Sequence, residues 1–157
     1  MAKVTVSTTA NMKTKTGIPM LTEEIPAKTL DAMLKAEADV VEPEIVNNAN
    51  TMLHGKYWTG TTAGAVTRKK PKYTRASDGT RVRQMLLTFT GVREDKYHNP
   101  KYSKEKDRRN AAIAFINEYG ARTQGPRPFV TKAVDDKETE AQDAGEAVFN
   151  AWAEKNL

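Results

Sequence analysis

The longest regular pattern in the chain is a stripe of apolar residues at helical spacing between residues 30 and 52. Steps of three and four residues place these side chains on one side of a helix. The stripe comprises Leu30, Leu34, Ala38, Val41, Ile45, Ala49 and Met52. Thr29 can cap the start of this helix, and His54-Gly55 is typical of its end. Pro43 removes a backbone donor and crowds the turn before it, so we expect the helix to be kinked or split there.

A second pattern, an alternation between an apolar face and a mostly polar face, predicts a β-strand from Arg81 to Val92. The residues expected on its apolar face are Met85, Leu87 and Phe89. Residues 65–73 favour an earlier strand, and Pro71 would confine the far end of that strand to a sheet edge. The sequence Ser77-Asp78-Gly79 is a turn signal between the two. We therefore expect an antiparallel hairpin with a basic outer edge.

Two further helices are predicted in the last third of the chain. Residues 110–120 place four apolar side chains on one helical face, with Asn110 as a cap and Gly120 as the end. These four are Ala112, Phe115, Ile116 and Tyr119. A buried strand is the alternative for this segment.

A final amphipathic helix should run from Val134 to Trp152. The residues expected on its core side are Val134, Ala141, Ala144, Val148 and Trp152. Its first turn would contain Asp135, Asp136 and Glu138, where the helix dipole favours negative charge.

The remaining segments lack periodicity. Residues 1–25 are rich in Thr and Lys and form an arm, in which the alternation around Val4 and Val6 permits a short strand. Residues 93–109 are almost wholly polar and predict a long exposed loop. The expected fold class is α+β: a small antiparallel sheet packed against an N-terminal and a C-terminal helix, with an extended arm and a long loop. Residues 26–157 would form the single domain.

Composition limits the classes of protein that fit this pattern. The chain has 157 residues, no cysteine and 38% hydrophobic residues, so disulfides, thiolate nucleophiles and Cys-based zinc sites are excluded and a thin core is expected. The longest apolar run has six residues, whereas a membrane helix needs about 20. The first six residues lack the features of a signal peptide. We therefore expect neither membrane insertion nor secretion by that route.

The net charge of +5 conceals a polarity along the chain. Residues 66–110 carry a net charge of +9, and the rest of the chain carries −4. A basic centre predicts an acidic partner, either nucleic acid or an acidic protein surface, although solvated loop lysines explain the same charges. The residues we assign to such a partner are Arg68, Lys69, Lys70, Lys72, Arg81 and Arg83. Interleaved aromatic residues make a nucleic-acid-binding module over residues 68–109 the alternative function.

The sequence contains no group of residues spaced for catalysis or metal binding. His54 and His98 are far apart and outside any ligand-spaced cluster. No glycine-rich loop fits a phosphate, and no serine lies in a nucleophile elbow. We expect no enzyme activity, no catalytic residue, no metal and no cofactor. Glu118 and Arg127 can form a bidentate ion pair across the intervening turn, or can be two unrelated surface charges.

One region resembles a known family. The sequence Arg109-Asn-Ala-Ala-Ile-Ala-Phe-Ile-Asn-Glu-Tyr-Gly120, followed by Arg127-Pro128-Phe129-Val130 and an acidic amphipathic helix, is similar to the tail-component family of tailed bacteriophages. Members of this family are head–tail joining or tail-completion proteins of lambda-like siphophages. The sharpest similarity covers residues 109–134 and a looser one covers about 30–155. The N-terminal arm is not covered.

The resemblance implies a structural virion protein, assembled in the host cytoplasm and located at the phage neck or tail. It implies a homo-oligomeric ring, usually of six- or twelve-fold symmetry, between the head-side adaptor or connector and the tail-tube or tail-terminator proteins. DNA in the lumen of the ring is expected as a further partner, and a membrane is not. The positions implied to shape the fold or the subunit contact are Glu118, Tyr119, Gly120, Arg127, Pro128 and Phe129, to which we add Trp152.

Overall fold

The computed structural model describes residues 4–7, 25–54, 58–75, 77, 79, 81–93 and 109–156. Its first helix, α1, spans Ala27–Met52. All but one of the seven residues of the predicted stripe are buried, and Met52 is half-buried. The helix is continuous through Pro43, whose side chain is exposed, so the predicted split is wrong. The solvent-facing position lets the helix tolerate the missing backbone donor.

The sheet is antiparallel and is built around one long strand. Strand β1 is Val4–Ser7, β2 is Val66–Arg68, β3 is Lys72–Arg75 and β4 is Arg81–Phe89. Strand β1 pairs with one edge of β4, and β2 and β3 pair with the other edge, one after the other. Part of the predicted arm therefore belongs to the sheet. Ile25, at the end of the predicted arm, is buried. The other residues of the arm and most of the predicted 93–109 loop lie outside the described residues.

A bulge at Pro71 explains why β2 and β3 are separate strands. Arg68 lies opposite Leu87, and Lys72 lies opposite Gln84, so three residues face two on β4. Proline cannot donate a ladder hydrogen bond, and an unpaired position at a sheet edge accommodates it. The prediction that Pro71 limits this strand to an edge is confirmed. The predicted apolar face of β4 is also confirmed, since Met85, Leu87 and Phe89 are all buried.

Two helices complete the fold. Helix α2 spans Asn110–Tyr119, and α3 spans Phe129–Asn156, five residues longer at its start than predicted. Because α3 begins at Phe129, the acidic residues expected in its first turn lie further along the helix. Helices α1 and α3 pack in antiparallel directions: the start of α1 meets Phe149, and Asn48 near its end meets the start of α3. The predicted α+β architecture is confirmed.

The core forms two clusters along the α1–α3 pair. The larger lies between α1, β4, α2 and α3, where the rings of Phe89 and Phe129 meet edge to face with centroids 5.9 Å apart. The smaller joins Ile25, Leu30, Met33 and Phe149, with Trp152 packed against it. No helix in the described part of the chain combines the length and apolar character needed to cross a membrane.

Helix α2 does not bury the apolar face that the sequence places on it. Asn110, Ala114 and Glu118 are buried, while Phe115, Ile116 and Tyr119 are exposed. The buried asparagine donates to the Thr90 carbonyl oxygen and accepts from the Thr62 hydroxyl. These bonds, together with those of Glu118, fix the rotation of the helix. The predicted helix is therefore confirmed, and Phe115, Ile116 and Tyr119 of its apolar face are turned to solvent.

Candidate interaction surfaces

The junction between α2 and α3 is organised by Glu118, one of the residues singled out by the family resemblance. Its buried carboxylate accepts hydrogen bonds from the backbone N–H groups of Val130 at 2.8 Å and Thr131 at 2.9 Å. It also accepts one from the Thr131 hydroxyl. The first N–H groups of a helix have no partner within the helix, so this carboxylate caps α3 from a neighbouring element. Glu118 thus ties the two helices together.

Arg127 does not pair with Glu118, contrary to the bidentate interaction we considered. Both carboxylate oxygens of Glu118 are used at the start of α3, and the Arg127 side chain is exposed. The backbone N–H of Arg127 instead donates to the Asn117 carbonyl oxygen at 2.6 Å. The contact that closes the turn is therefore made by the main chain, which leaves the guanidinium facing solvent.

Gly120 allows the tight turn that returns the chain to α3. Its φ is +84°, a conformation that residues with a side chain rarely adopt. A Cβ atom at this position would lie 2.9 Å from the Gln124 carbonyl oxygen and 3.0 Å from the Pro126 nitrogen. Pro128, also exposed, then leads into Phe129, which is fully buried. The Glu-Tyr-Gly and Arg-Pro-Phe elements therefore form one structural unit.

The outer side of α2 is an exposed apolar surface. It carries Phe115, Ile116 and Tyr119, with Tyr119 60% exposed and its ring centroid 4.9 Å from that of Phe115. A surface hollow of about 550 Å³, lined by residues 119–126, adjoins it. Three exposed arginines lie at the ends of the helix and in the following loop: Arg109, Arg122 and Arg127. We call these residues together the α2 face.

The six basic residues predicted to meet an acidic partner separate into two groups. Arg68 and Arg83 point towards α1, where Arg68 binds Glu42 and Asp39. Arg83 binds both oxygens of Asp31, at 2.7 and 3.0 Å, and this hydrogen bonding raises the pKa of its guanidinium. The acidic partners of these two arginines are thus supplied by the chain itself.

The other four basic residues are exposed on the hairpin: Lys69, Lys70, Lys72 and Arg81. Arg81 lies over the ring of Tyr73, with its guanidinium carbon 4.0 Å from the ring centroid. The guanidinium carbon of Arg83 also lies 4.6 Å from the centroid of the Tyr73 ring, so two arginines contact one aromatic ring. We call the four exposed residues the hairpin edge; unlike Arg68 and Arg83, they remain available to a partner.

The outer side of α3 is acidic. Exposed carboxylates follow the helix from Asp135 to Glu154, and two of its lysines are engaged locally, Lys132 with Asp136 and Lys137 with Glu140. On the inner side the fully buried row includes Ala133, Ala141 and Gly145, while Trp152 is half-buried with its ring centroid 5.9 Å from that of Phe149. Trp152 therefore contributes to the core of this chain.

Sequence reasoning missed a second buried acid, Glu37 of α1. It is 9% exposed and packs against Gly145 of α3, where an added Cβ atom would lie 2.5 Å from its Oε1. Burial raises the pKa of Glu37 to about 7. A glycine in the middle of an amphipathic helix is a signal for such a close approach. Across the described residues, no group of three His, Asp or Glu side chains could hold a metal ion.

Comparisons of the chain with protein-family models, with curated protein sequences and with solved structures found no match. Support for a function therefore comes from the surfaces described above and from the resemblance of residues 109–134 to the tail-component family.

Proposed function

We propose that this chain is a structural subunit of a tailed-phage virion, with no catalytic role, that forms a ring at the neck or at the tail terminus. The observation that carries the proposal is the 109–134 segment. Its residues resemble the tail-component family, and they make one unit in which Glu118 caps α3, Gly120 closes the turn and Phe129 enters the core. The segment that resembles the family is thus one whose residues stabilise the fold, and this supports a structural role for the chain.

The distribution of charge supports a head-to-tail arrangement of copies. One molecule presents an acidic surface on α3 and basic surfaces on the hairpin edge and around α2. When identical subunits bind through two different patches, each subunit can add another. The series closes into a ring if the rotation from one subunit to the next adds up to a full turn. Opposite charge on the two patches favours that contact over the contact of either patch with itself. Six or twelve subunits are the ring sizes implied by the resemblance.

A phage that lacks this chain tests the proposal. We expect such a phage to accumulate unjoined or unfinished heads and tails, and a plasmid copy of the chain to restore infectious particles. Mass spectrometry and immunogold labelling of purified virions should place the chain at the neck or tail end. Normal particle yield without the chain, together with its absence from virions, would contradict the proposal.

A second candidate function, nucleic-acid binding, is supported by the hairpin edge. Three adjacent exposed lysines, Lys69, Lys70 and Lys72, resemble a phosphate-binding surface, and a ring would allow them to face DNA in its lumen. Binding of a short DNA duplex should weaken steeply as salt rises and should be lost when the three lysines are changed to glutamine. Arg68→Gln is less informative because that side chain pairs with α1. No binding at low salt would exclude this candidate.

A further inference from the structure

The α2 face is an apolar surface that the described part of the chain leaves exposed. Phe115 and Ile116 are 40% and 38% exposed, and Tyr119 is 60% exposed. The helix cannot rotate to hide them, because Asn110 and Glu118 are held on its inner side by hydrogen bonds to Thr90 and to α3. Adjacent exposed aromatic side chains of this kind mark an interaction surface.

The charges around the α2 face indicate the chemistry of its partner. The only basic residues from 109 to 131 are the three exposed arginines of this face. The only acidic residue there is Glu118, which is buried with both oxygens bonded at the start of α3. Within residues 109–131 the surface therefore combines an apolar centre with exposed arginines and no exposed acid, which fits a partner with small apolar residues flanked by carboxylates.

The chain itself carries a surface of that description. On the outer side of α3, Ala147 and Ala151 are exposed, one helical turn apart, with Asp143 and Glu146 exposed beside them. No lysine or arginine occurs from residue 143 to 154. Alanines leave room for aromatic rings, and the neighbouring carboxylates can reach arginines at the rim. We call residues 143–151 of this side the α3 stripe.

Contact between the two surfaces requires two molecules. Helix α2 is attached at the first residues of α3 by Glu118, whereas the α3 stripe begins 13 residues after Val130, about 20 Å further along the helix axis. We propose that the α2 face of one copy docks on the α3 stripe of a second copy. This inference rests on the proposed function, because it names the subunit contact of that ring. It leaves the hairpin edge available to another partner.

Single cysteines test the pairing directly, because the chain has none of its own. Tyr119→Cys and Ala147→Cys are purified separately, mixed in equal amounts and treated with a short bis-maleimide. We expect a crosslinked dimer joining positions 119 and 147, at least about tenfold more abundant than in either variant alone. Lys69→Cys mixed with Tyr119→Cys is the matched control. An equal yield in the control, or efficient dimers of Tyr119→Cys alone, would overturn the proposal.

Charge reversal provides a second, independent readout. The variants Arg122→Glu/Arg127→Glu and Asp143→Arg/Glu146→Arg should each self-associate at least about tenfold more weakly than the unmodified chain. Mixed in equal amounts, they should associate again, because each supplies the charge that the other has lost. All four positions are exposed, so circular dichroism should show unchanged folding. Lys69→Glu/Lys70→Glu serves as the control and should associate normally.

The outcomes separate this inference from the proposed function. If the chain is incorporated into virions and assembles, but neither charge-reversed variant weakens assembly, the docking proposal is wrong and the ring remains. If copies associate through these surfaces, but the chain is missing from virions, the proposed function is wrong and the docking stands. A chain that stays monomeric at every concentration overturns the docking proposal.

Discussion

Two buried glutamates, Glu118 and Glu37, face the same helix and have very different surroundings. Glu118 meets the start of α3, where it accepts three hydrogen bonds from Val130 and Thr131. Glu37 meets the middle of α3 at Gly145 and, within the described part of the chain, accepts none. Burial alone governs its pKa, which is raised to about 7. Hydrogen bonds from the start of α3 thus compensate the burial of Glu118, whereas at Glu37 burial raises the pKa.

The difference follows from the geometry of a helix. The first turn has backbone N–H groups without partners, whereas every N–H in the middle is already bonded to a carbonyl oxygen one turn earlier. A carboxylate at the start of a helix therefore replaces its lost hydration and benefits from the dipole. A carboxyl group against the middle gains neither. The junction held by Glu118 should be the firm part of the fold, and the crossing at Glu37 the part sensitive to pH.

Glu118→Ala should cause the largest loss of stability. It leaves the buried N–H of Val130 and the partly buried N–H of Thr131 without acceptors, and we expect a cost of about 3 kcal/mol in the free energy of unfolding. Chemical denaturation measures this change, and Glu146→Ala, an exposed acid on α3, is the control. A loss below about 1 kcal/mol would show that the junction does not depend on this carboxylate.

Stability should fall as pH rises from about 4.5 to about 7 because of Glu37. Its pKa is about 7 in the folded state against 4.5 ordinarily, so the unfolded state loses its proton first and is favoured as pH rises. Relative to the unmodified chain, Glu37→Gln should gain about 2 to 3 kcal/mol at pH 8 and little at pH 4. Denaturation across this pH range tests the effect, and a constant difference between the two proteins would contradict it.

Gly120→Ala should cost about 2 kcal/mol, because the new side chain is strained at φ +84° and meets the Gln124 carbonyl oxygen. Gly125→Ala is the control within the same loop, since an added Cβ atom there has no neighbour within 4 Å. Its effect should stay within about 0.5 kcal/mol. Thermal unfolding of both variants makes the comparison, and equal losses would show that the turn geometry is not what matters.

The pair formed by Arg83 and Asp31 should contribute less than the buried groups, because the Asp31 side chain is 37% exposed and solvent screens the interaction. A double-mutant cycle with Arg83→Gln and Asp31→Asn should give a coupling energy of about 1 kcal/mol. The coupling should shrink at high salt. A coupling energy near zero at low salt would show that this ion pair does not help to hold α1 against the sheet.

Arg127→Glu should have the smallest effect on stability, under about 0.5 kcal/mol, since the side chain is exposed and only its backbone closes the turn. Its effect should appear in assembly, as a reduced yield of complete particles when the variant replaces the chain in the phage. Normal particle yield would count against a role for this guanidinium in subunit contact.

The long elements could be predicted from the sequence because their periodicity extends over many residues. The α1 stripe and the alternation of β4 each repeat often enough to identify both the element and its buried side. Helix α2 has only ten residues, with apolar side chains on most sides, so its periodicity does not identify the buried side. Its true rotation is fixed by hydrogen bonds with Thr90 and α3, which are distant in sequence.

Parts of the candidate surfaces could not be predicted from the sequence, because they too depend on contacts between segments that are distant in sequence. Arg68 and Arg83 look like the rest of the basic centre, and only the fold shows that α1 supplies their carboxylates. Asp31 and Glu42 lie three helical turns apart on one side of α1, a spacing that hints at such a role without naming the partner. The sequence also allowed an ion pair between Glu118 and Arg127, yet Glu118 contacts the start of α3 and not that arginine.

Mass photometry of the purified chain, alone and with the neighbouring virion proteins, tests ring formation most directly. We predict one discrete species with the mass of six or twelve subunits, which is lost in Arg122→Glu/Arg127→Glu and regained when that variant is mixed with Asp143→Arg/Glu146→Arg. A strict monomer that joins none of the virion proteins would contradict the proposed ring.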